Sequence, residues 1–275
     1  MSELMRGFER DTLSAVWRGR QVWLTQVFAN LVLLAIFYGW LLIPDRRGWE
    51  VAGSLLVGLV WLTLGLWLHA ATFHFFTAAH SAPESWRMSW RRAVRNIPAF
   101  AICLAILVAV MWVVGLAMDR QGQLAGWFHH LMPGFVRTRV SVRTFSWMTH
   151  VKILIVFLLL FPLYLLPLLR EAAVRGFRAF GRGWASAGRS FWHVRWWITW
   201  FVLMMLGHLP FHVAAAKPQP GTVTLQAIYV VLRLGVAYLF LITVYVITVS
   251  AVGRLRREES SRVAEPVPIE TAPPV

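Results

Sequence analysis

WRMSWRRAVRN (Trp86–Asn96) runs straight into IPAFAICLAILVAVMWVVGLAM (Ile97–Met118). The second string holds 22 residues and no charge, and about 20 helical residues cross a hydrocarbon core of about 30 Å. The first string places Arg and Trp at the edge of that span, the position of headgroup anchors. The same succession recurs at Val16–Trp23 and at Trp184–Trp197, each ahead of a long apolar run. Together these strings read as a polytopic membrane protein.

Six apolar runs are visible: Val22–Ile43, Val51–Ala79, Ile97–Met118, Val151–Leu169, Trp196–Val213 and Leu225–Val252. All are expected to be helices, because lipid offers no partner to a backbone N–H or C=O and an isolated strand leaves both bare. The expected fold is an all-α, six-span transmembrane domain over 1–252 with interfacial amphipathic helices on its cytoplasmic side. A polar, Pro-bearing tail over 253–275 is expected to be disordered. The first span reads as a retained anchor, being too long for a signal h-region and lacking a small-residue cleavage site.

Composition agrees and excludes several chemistries. The chain is 58% hydrophobic with a net charge of +15 and a mean hydropathy of +0.61. Arg outnumbers Lys 25 to 2, a bias that points to a GC-rich bacterial genome. No Asp or Glu lies well inside a span, which argues against proton-coupled pumps and intramembrane aspartyl enzymes. The single cysteine, Cys103, sits within the third span, so no intrachain disulfide is possible. Covalent hydrolysis lacks its G-x-S-x-G or Cys–His parts. GWASAGRS (Gly183–Ser190) imitates a phosphate-binding loop, but it follows a helix and no Asp occurs after Asp119.

The cations set the orientation. With a cytoplasmic N-terminus, inside segments 1–21, 80–96, 170–195 and 253–275 hold 18 of the 27 Lys and Arg. The positive-inside rule then puts both termini in the cytoplasm of a bacterial inner membrane. Asp119–His150 runs against this, carrying four Arg on the outer side. Within it, Arg137, Arg139, Ser141 and Arg143 alternate with Thr138, Val140, Val142 and Thr144, a period-two pattern that predicts an extended segment.

The inside loops read as helices lying flat on the membrane. Trp86, Trp90, Ala93, Val94 and Ile97 share one face, with Arg87, Arg91 and Arg95 beside it. Phe177, Phe180, Trp184, Ala187 and Phe191 repeat the design against Arg175, Arg178, Arg182 and Arg189. Such a helix sets its aromatic face in the acyl boundary and its guanidinium groups among lipid phosphates. Aligning Arg18, Arg91 and Arg189 gives spacings of 73 and 98 residues. A longer loop after the third span accounts for the difference. The chain then reads as a threefold repeat of interfacial helix, span, span.

Three groups are candidate sites. Arg18, Arg91, Arg95 and Arg189 would bind anionic lipid headgroups. Arg233, within the sixth run, either grips an anion or snorkels to the outer interface. His208 and His212, four apart on the fifth span, have metal-ligand spacing, and His150 falls on the same outer side.

WASAGRSFWHVRWWITW (Trp184–Trp200) resembles the collar that precedes spans in the membrane domain attached to some bacterial glycerophosphodiester phosphodiesterases, and in related six-span bacterial proteins. That resemblance implies a lipid-associated membrane module. It does not imply phosphodiesterase activity, which in that family resides in a soluble barrel with acidic metal ligands to which nothing in these residues corresponds. The expected function is a non-catalytic, lipid-associated scaffold or accessory module without cofactor or nucleic acid. Its expected partners are anionic membrane lipids, with a membrane protein or a second copy as a further possibility. A transporter for a small or lipidic anion is the alternative, and a membrane enzyme or cytochrome with an outer histidine metal site ranks third. A reporter that works only in the periplasm, fused after Gln219, is expected to be active, and silence there contradicts the assigned orientation.

Overall fold

The computed structural model describes residues 10, 12–44, 46–79, 85–148, 150–151, 161–183, 194–215 and 222–264. Its elements are helical: α1 (Arg20–Leu41), α2 (Gly48–Ala79), α3 (Trp86–Val94), α4 (Ile97–Asp119), α5 (Gln121–Leu131), α6 (Leu166–Arg175), α7 (Val194–Ala215) and α8 (Val223–Ala264). Five of them, α1, α2, α4, α7 and α8, are long and apolar enough to cross a membrane. They match five of the six apolar runs. The fourth run has its centre, 152–160, outside the described residues. Its end is helical, widening to a π-helical turn at Phe161–Leu165 before α6. Pro167, which has no N–H to give the preceding turn, explains the widening there.

Two expectations are corrected. The alternating stretch around Arg139 is not extended: Gly134–Arg137 forms a helical turn, and 142–148 is helical. Ser141 Oγ accepts the Thr144 amide at 3.1 Å, a side-chain cap that starts a helix and overrides the weak alternation. The polar tail is also not unstructured from Gly253, since α8 continues to Ala264. Residues 265–275 lie outside the described residues.

α2 is the hub, packing against α1, α3, α4, α6 and α8, while α7 packs on α8. Contacts concentrate at the end of the molecule where α2 finishes and α3 and α4 begin, called here the collar end. Ala70, Ala71, Ala93, Ala99, Ala172 and Ala251 are buried there. In lipid, helices associate mainly by van der Waals contact, and small residues let backbones approach. Gly253 shows how close: a Cβ on it would lie 2.8 Å from the Phe76 carbonyl oxygen. Gly176, which ends α6 at φ +61°, is required for a second reason, because a Cβ there would also meet Asn96 Oδ1 at 2.7 Å.

Away from the collar end the spans splay. Only 6–22% of each span's apolar window is buried, and Leu34, Tyr38, Leu55, Leu59, Trp112 and Val236 point outward. Faces so apolar suit hydrocarbon and not water.

Polar side chains stitch the helices. Gln26 Nε2 donates to Thr72 Oγ1 at 2.5 Å between α1 and α2. Trp23 Nε1 donates to Thr243 Oγ1 at 3.0 Å, and the Tyr238 hydroxyl to the Val27 carbonyl at 2.6 Å, both between α1 and α8. Asn96 Nδ2 donates to the Ala173 carbonyl at 2.8 Å, tying α4 to α6. At the opposite end Glu50 Oε2 accepts the Arg46 and Arg47 amides, fixing the turn into α2. Gly253→Val is expected to lower stability by about 1–3 kcal/mol, read as a fall in the thermal midpoint in detergent. An unchanged midpoint would contradict the close α2–α8 contact.

Candidate functional site

A polar cleft lies at the collar end and is built on α3. Ser85 caps that helix, its Oγ accepting the Met88 amide at 3.3 Å, and Pro98 near the start of α4 turns the chain into the next span. On α3, Ser89 and Ala93 are buried. Trp90 stacks on Trp67 of α2 at 4.7 Å between ring centroids, and the Trp67 indole donates to the Trp90 carbonyl at 2.9 Å. Trp86 meets Phe75 edge-on at 5.9 Å. The aromatic face expected in the acyl boundary is therefore turned against α2, and Met88 and Val94 are the apolar residues α3 exposes.

That packing fixes the backbone from which the cations project. Thr25, Trp86, Arg87, Trp90 and Arg91 line a cleft of about 470 Å³, and both guanidinium-bearing residues are exposed. The chemistry of this lining suits an anion, since guanidinium forks match phosphate oxygens and Trp rings add flat apolar walls. Arg95 is exposed one turn beyond Arg91, outside the cleft lining. Arg18 is exposed at the same end, its Nε donating to the Ser14 carbonyl at 3.4 Å; neighbouring Gly19 approaches the rings of Phe75 and Phe76. Arg189 lies outside the described residues, as does most of the third collar. Arg18 and Arg91 thus share an end of the molecule.

A second charged group is hidden from sequence reading. Arg170 and Glu171 are almost fully buried, at 0% and 1% exposure. Arg170 Nη2 lies 3.1 Å from Glu171 Oε1, and its Nη1 donates to the Val252 carbonyl at 3.1 Å. Half-exposed Arg175 reaches the other carboxylate oxygen at 3.2 Å. The signal available in sequence was Arg-Glu at the end of an apolar run, with a second Arg four residues on.

The remaining candidates are scattered. Arg233 sits ten residues into α8, about 15 Å along the helix, with its guanidinium 5.6 Å over the Tyr229 ring. Its Nε and Nη1 are shielded and donate to no partner among the described residues. His208 and His212 are both exposed on α7, whereas His150 Nδ1 is 2.5 Å from Gln121 Oε1. Among the described residues no three His, Cys, Asp or Glu converge as metal ligands, so the structure does not bring His150, His208 and His212 together.

Two apolar cavities lie deeper. One, of about 590 Å³, is bounded by α2, α4, α6, α7 and α8; the other, of about 550 Å³, by α1, α2, α4 and α8. His69 lines both. No family model, curated protein or solved structure matches the chain.

Removing the Arg170 side chain takes its fully buried cationic partner from the Glu171 carboxylate. Arg170→Met is expected to cost about 3–5 kcal/mol, whereas Arg233→Ala, losing one cation–π contact, should cost about 0.5–1 kcal/mol. Unfolding in detergent measures both, and equal losses would contradict the assignment of Arg170 as the structural charge.

Proposed function

We propose that this chain is a six-span protein of a bacterial inner membrane, with both termini cytoplasmic, and that it acts as a non-catalytic, lipid-associated module. In this reading α3 lies at the cytoplasmic interface and seats anionic phospholipid headgroups between Arg87 and Arg91. The cleft formed by those two arginines with Trp86, Trp90 and Thr25 carries the proposal. The helix that carries both guanidinium groups is already packed on α2 through Trp86 and Trp90, so no backbone ordering is needed on binding. The excess of cations on this end supports the orientation. The chain leaves the collar end along α4 and contacts it again through α6, which supports a sixth crossing. The resemblance of Trp184–Trp200 to the membrane domain of some glycerophosphodiester phosphodiesterases is consistent with a lipid-facing role.

An anion pathway through Arg233 has less support, because Arg233 lines neither apolar cavity nor the collar cleft. Each arginine near an anionic leaflet contributes about 1 kcal/mol. The double variant Arg87→Ala/Arg91→Ala is therefore expected to bind phosphatidylglycerol about tenfold or more weakly. Native mass spectrometry of the full chain, purified with its lipids, reads the retained anionic species. Equal retention by wild type and variant would defeat the proposal.

A further inference from the structure

The two apolar cavities meet at a polar pair that the headgroup site does not use. His69 of α2 and Tyr245 of α8 face each other, with Nδ1 and the hydroxyl oxygen 2.8 Å apart and the rings edge-on at 84°. Both residues are half-buried and line the larger cavity. Apart from His208, Thr248 and the Trp200 indole N–H, the other described residues of that wall are apolar. Phe73, Phe100, Phe161, Trp200 and Phe211 give it flat aromatic surfaces, and Phe161 lies within 5.3 Å of Trp200 at a tilt of 34°. On α7 the lining residues Trp200, Leu203, Met204, Gly207, His208 and Phe211 form one helical stripe. Exposed His208 and Phe211 open the cavity sideways, toward the apolar exterior.

We infer that this cavity is a binding site for an uncharged lipid whose hydroxyl or carbonyl head hydrogen-bonds the His69–Tyr245 pair and whose apolar body fills the space toward α7. Three observations carry the assignment. No Arg, Lys, Asp or Glu is among the described residues lining either cavity, so a phosphate or carboxylate would be desolvated without a countercharge. The hydroxyl and imidazole together offer both donor and acceptor capacity, which suits a head that needs one or two bonds and no charge. With Nδ1 engaged by Tyr245, the imidazole is held in one orientation, leaving Nε2 for the ligand. Two sources share this chemistry: a glycerolipid with a free hydroxyl, and an isoprenoid quinone.

Gly207 provides a clean test, since it lines the cavity and a Cβ on it meets nothing within 4 Å. Gly207→Leu fills the space without touching the backbone packing, and leucine is the better helix former. The full chain in detergent is titrated with dioctanoylglycerol and, separately, with a decyl-tailed benzoquinone, following the thermal midpoint. Dioctanoyl phosphatidate on the Arg87→Ala/Arg91→Ala background is the charged control. At least one uncharged probe is expected to raise the wild-type midpoint saturably, and the responding probe identifies the source. Phosphatidate should bind at least tenfold more weakly. Gly207→Leu should abolish the response with helix content unchanged, and Tyr245→Phe, which keeps the ring, should weaken it about five- to tenfold. No saturable shift with either uncharged probe overturns the inference, as does a response undiminished in both variants. Should Gly207→Leu lose helix content, Tyr245→Phe decides alone.

Discussion

Arg170 is the residue on which the collar end turns. Its guanidinium has no exposure, holds the adjacent Glu171 carboxylate, and reaches across to the Val252 carbonyl of α8. An ion pair this deep offsets its own desolvation only when its remaining hydrogen bonds are made. The surrounding helices are therefore constrained to bring those partners in. Next to Val252, Gly253 presses on Phe76 of α2, and Asn96 at the head of α4 donates to the Ala173 carbonyl of α6. One buried charge thus ties α6 to α8 beside the point where both meet α2.

Around that knot, alanine and glycine bring backbones together, and polar side chains fix which helix faces meet. Hydrocarbon cannot tell one apolar face from another, so register among spans must come from shape and from hydrogen bonds that lipid would leave unmade. Gln26–Thr72, Trp23–Thr243, Tyr238–Val27 and His69–Tyr245 supply it for α1, α2 and α8. The collar end is closely packed, and the opposite half is splayed and apolar. The cation-rich α3 is fastened to the packed part through Trp86 and Trp90, which sets the backbone positions of Arg87 and Arg91.

The long helices were legible because 20 apolar residues in succession have few alternatives in any folded protein. The helical nature of Trp86–Val94 was legible too, from Trp and Arg at helical spacing. Its direction was not. An aromatic stripe looks the same whether it faces lipid or protein, and only its partners on α2, Trp67 and Phe75 within a uniformly apolar run, distinguish the two. For Arg170 the local signal was the adjacent Glu171, but nothing in sequence marks its second partner, the Val252 carbonyl 82 residues away. Around Arg139 the period-two pattern was real, but a cap at Ser141 outweighed it. Of the proposed anion-binding residues, Arg91 was recoverable from its stripe, while Arg87 became notable only once Trp86 and Trp90 were seen to wall the same cleft.

The claim that α3 is a lipid-interface element on the same side as the start of α1 is tested most directly by depth measurement. With Cys103 replaced by serine, single nitroxides at Arg18→Cys and Arg91→Cys in phosphatidylglycerol-containing bilayers report their distance from the phosphate plane by power saturation. Both labels are predicted to lie within a few ångströms of that plane in one leaflet. A label at 91 in bulk water, or in the leaflet opposite 18, would contradict the account.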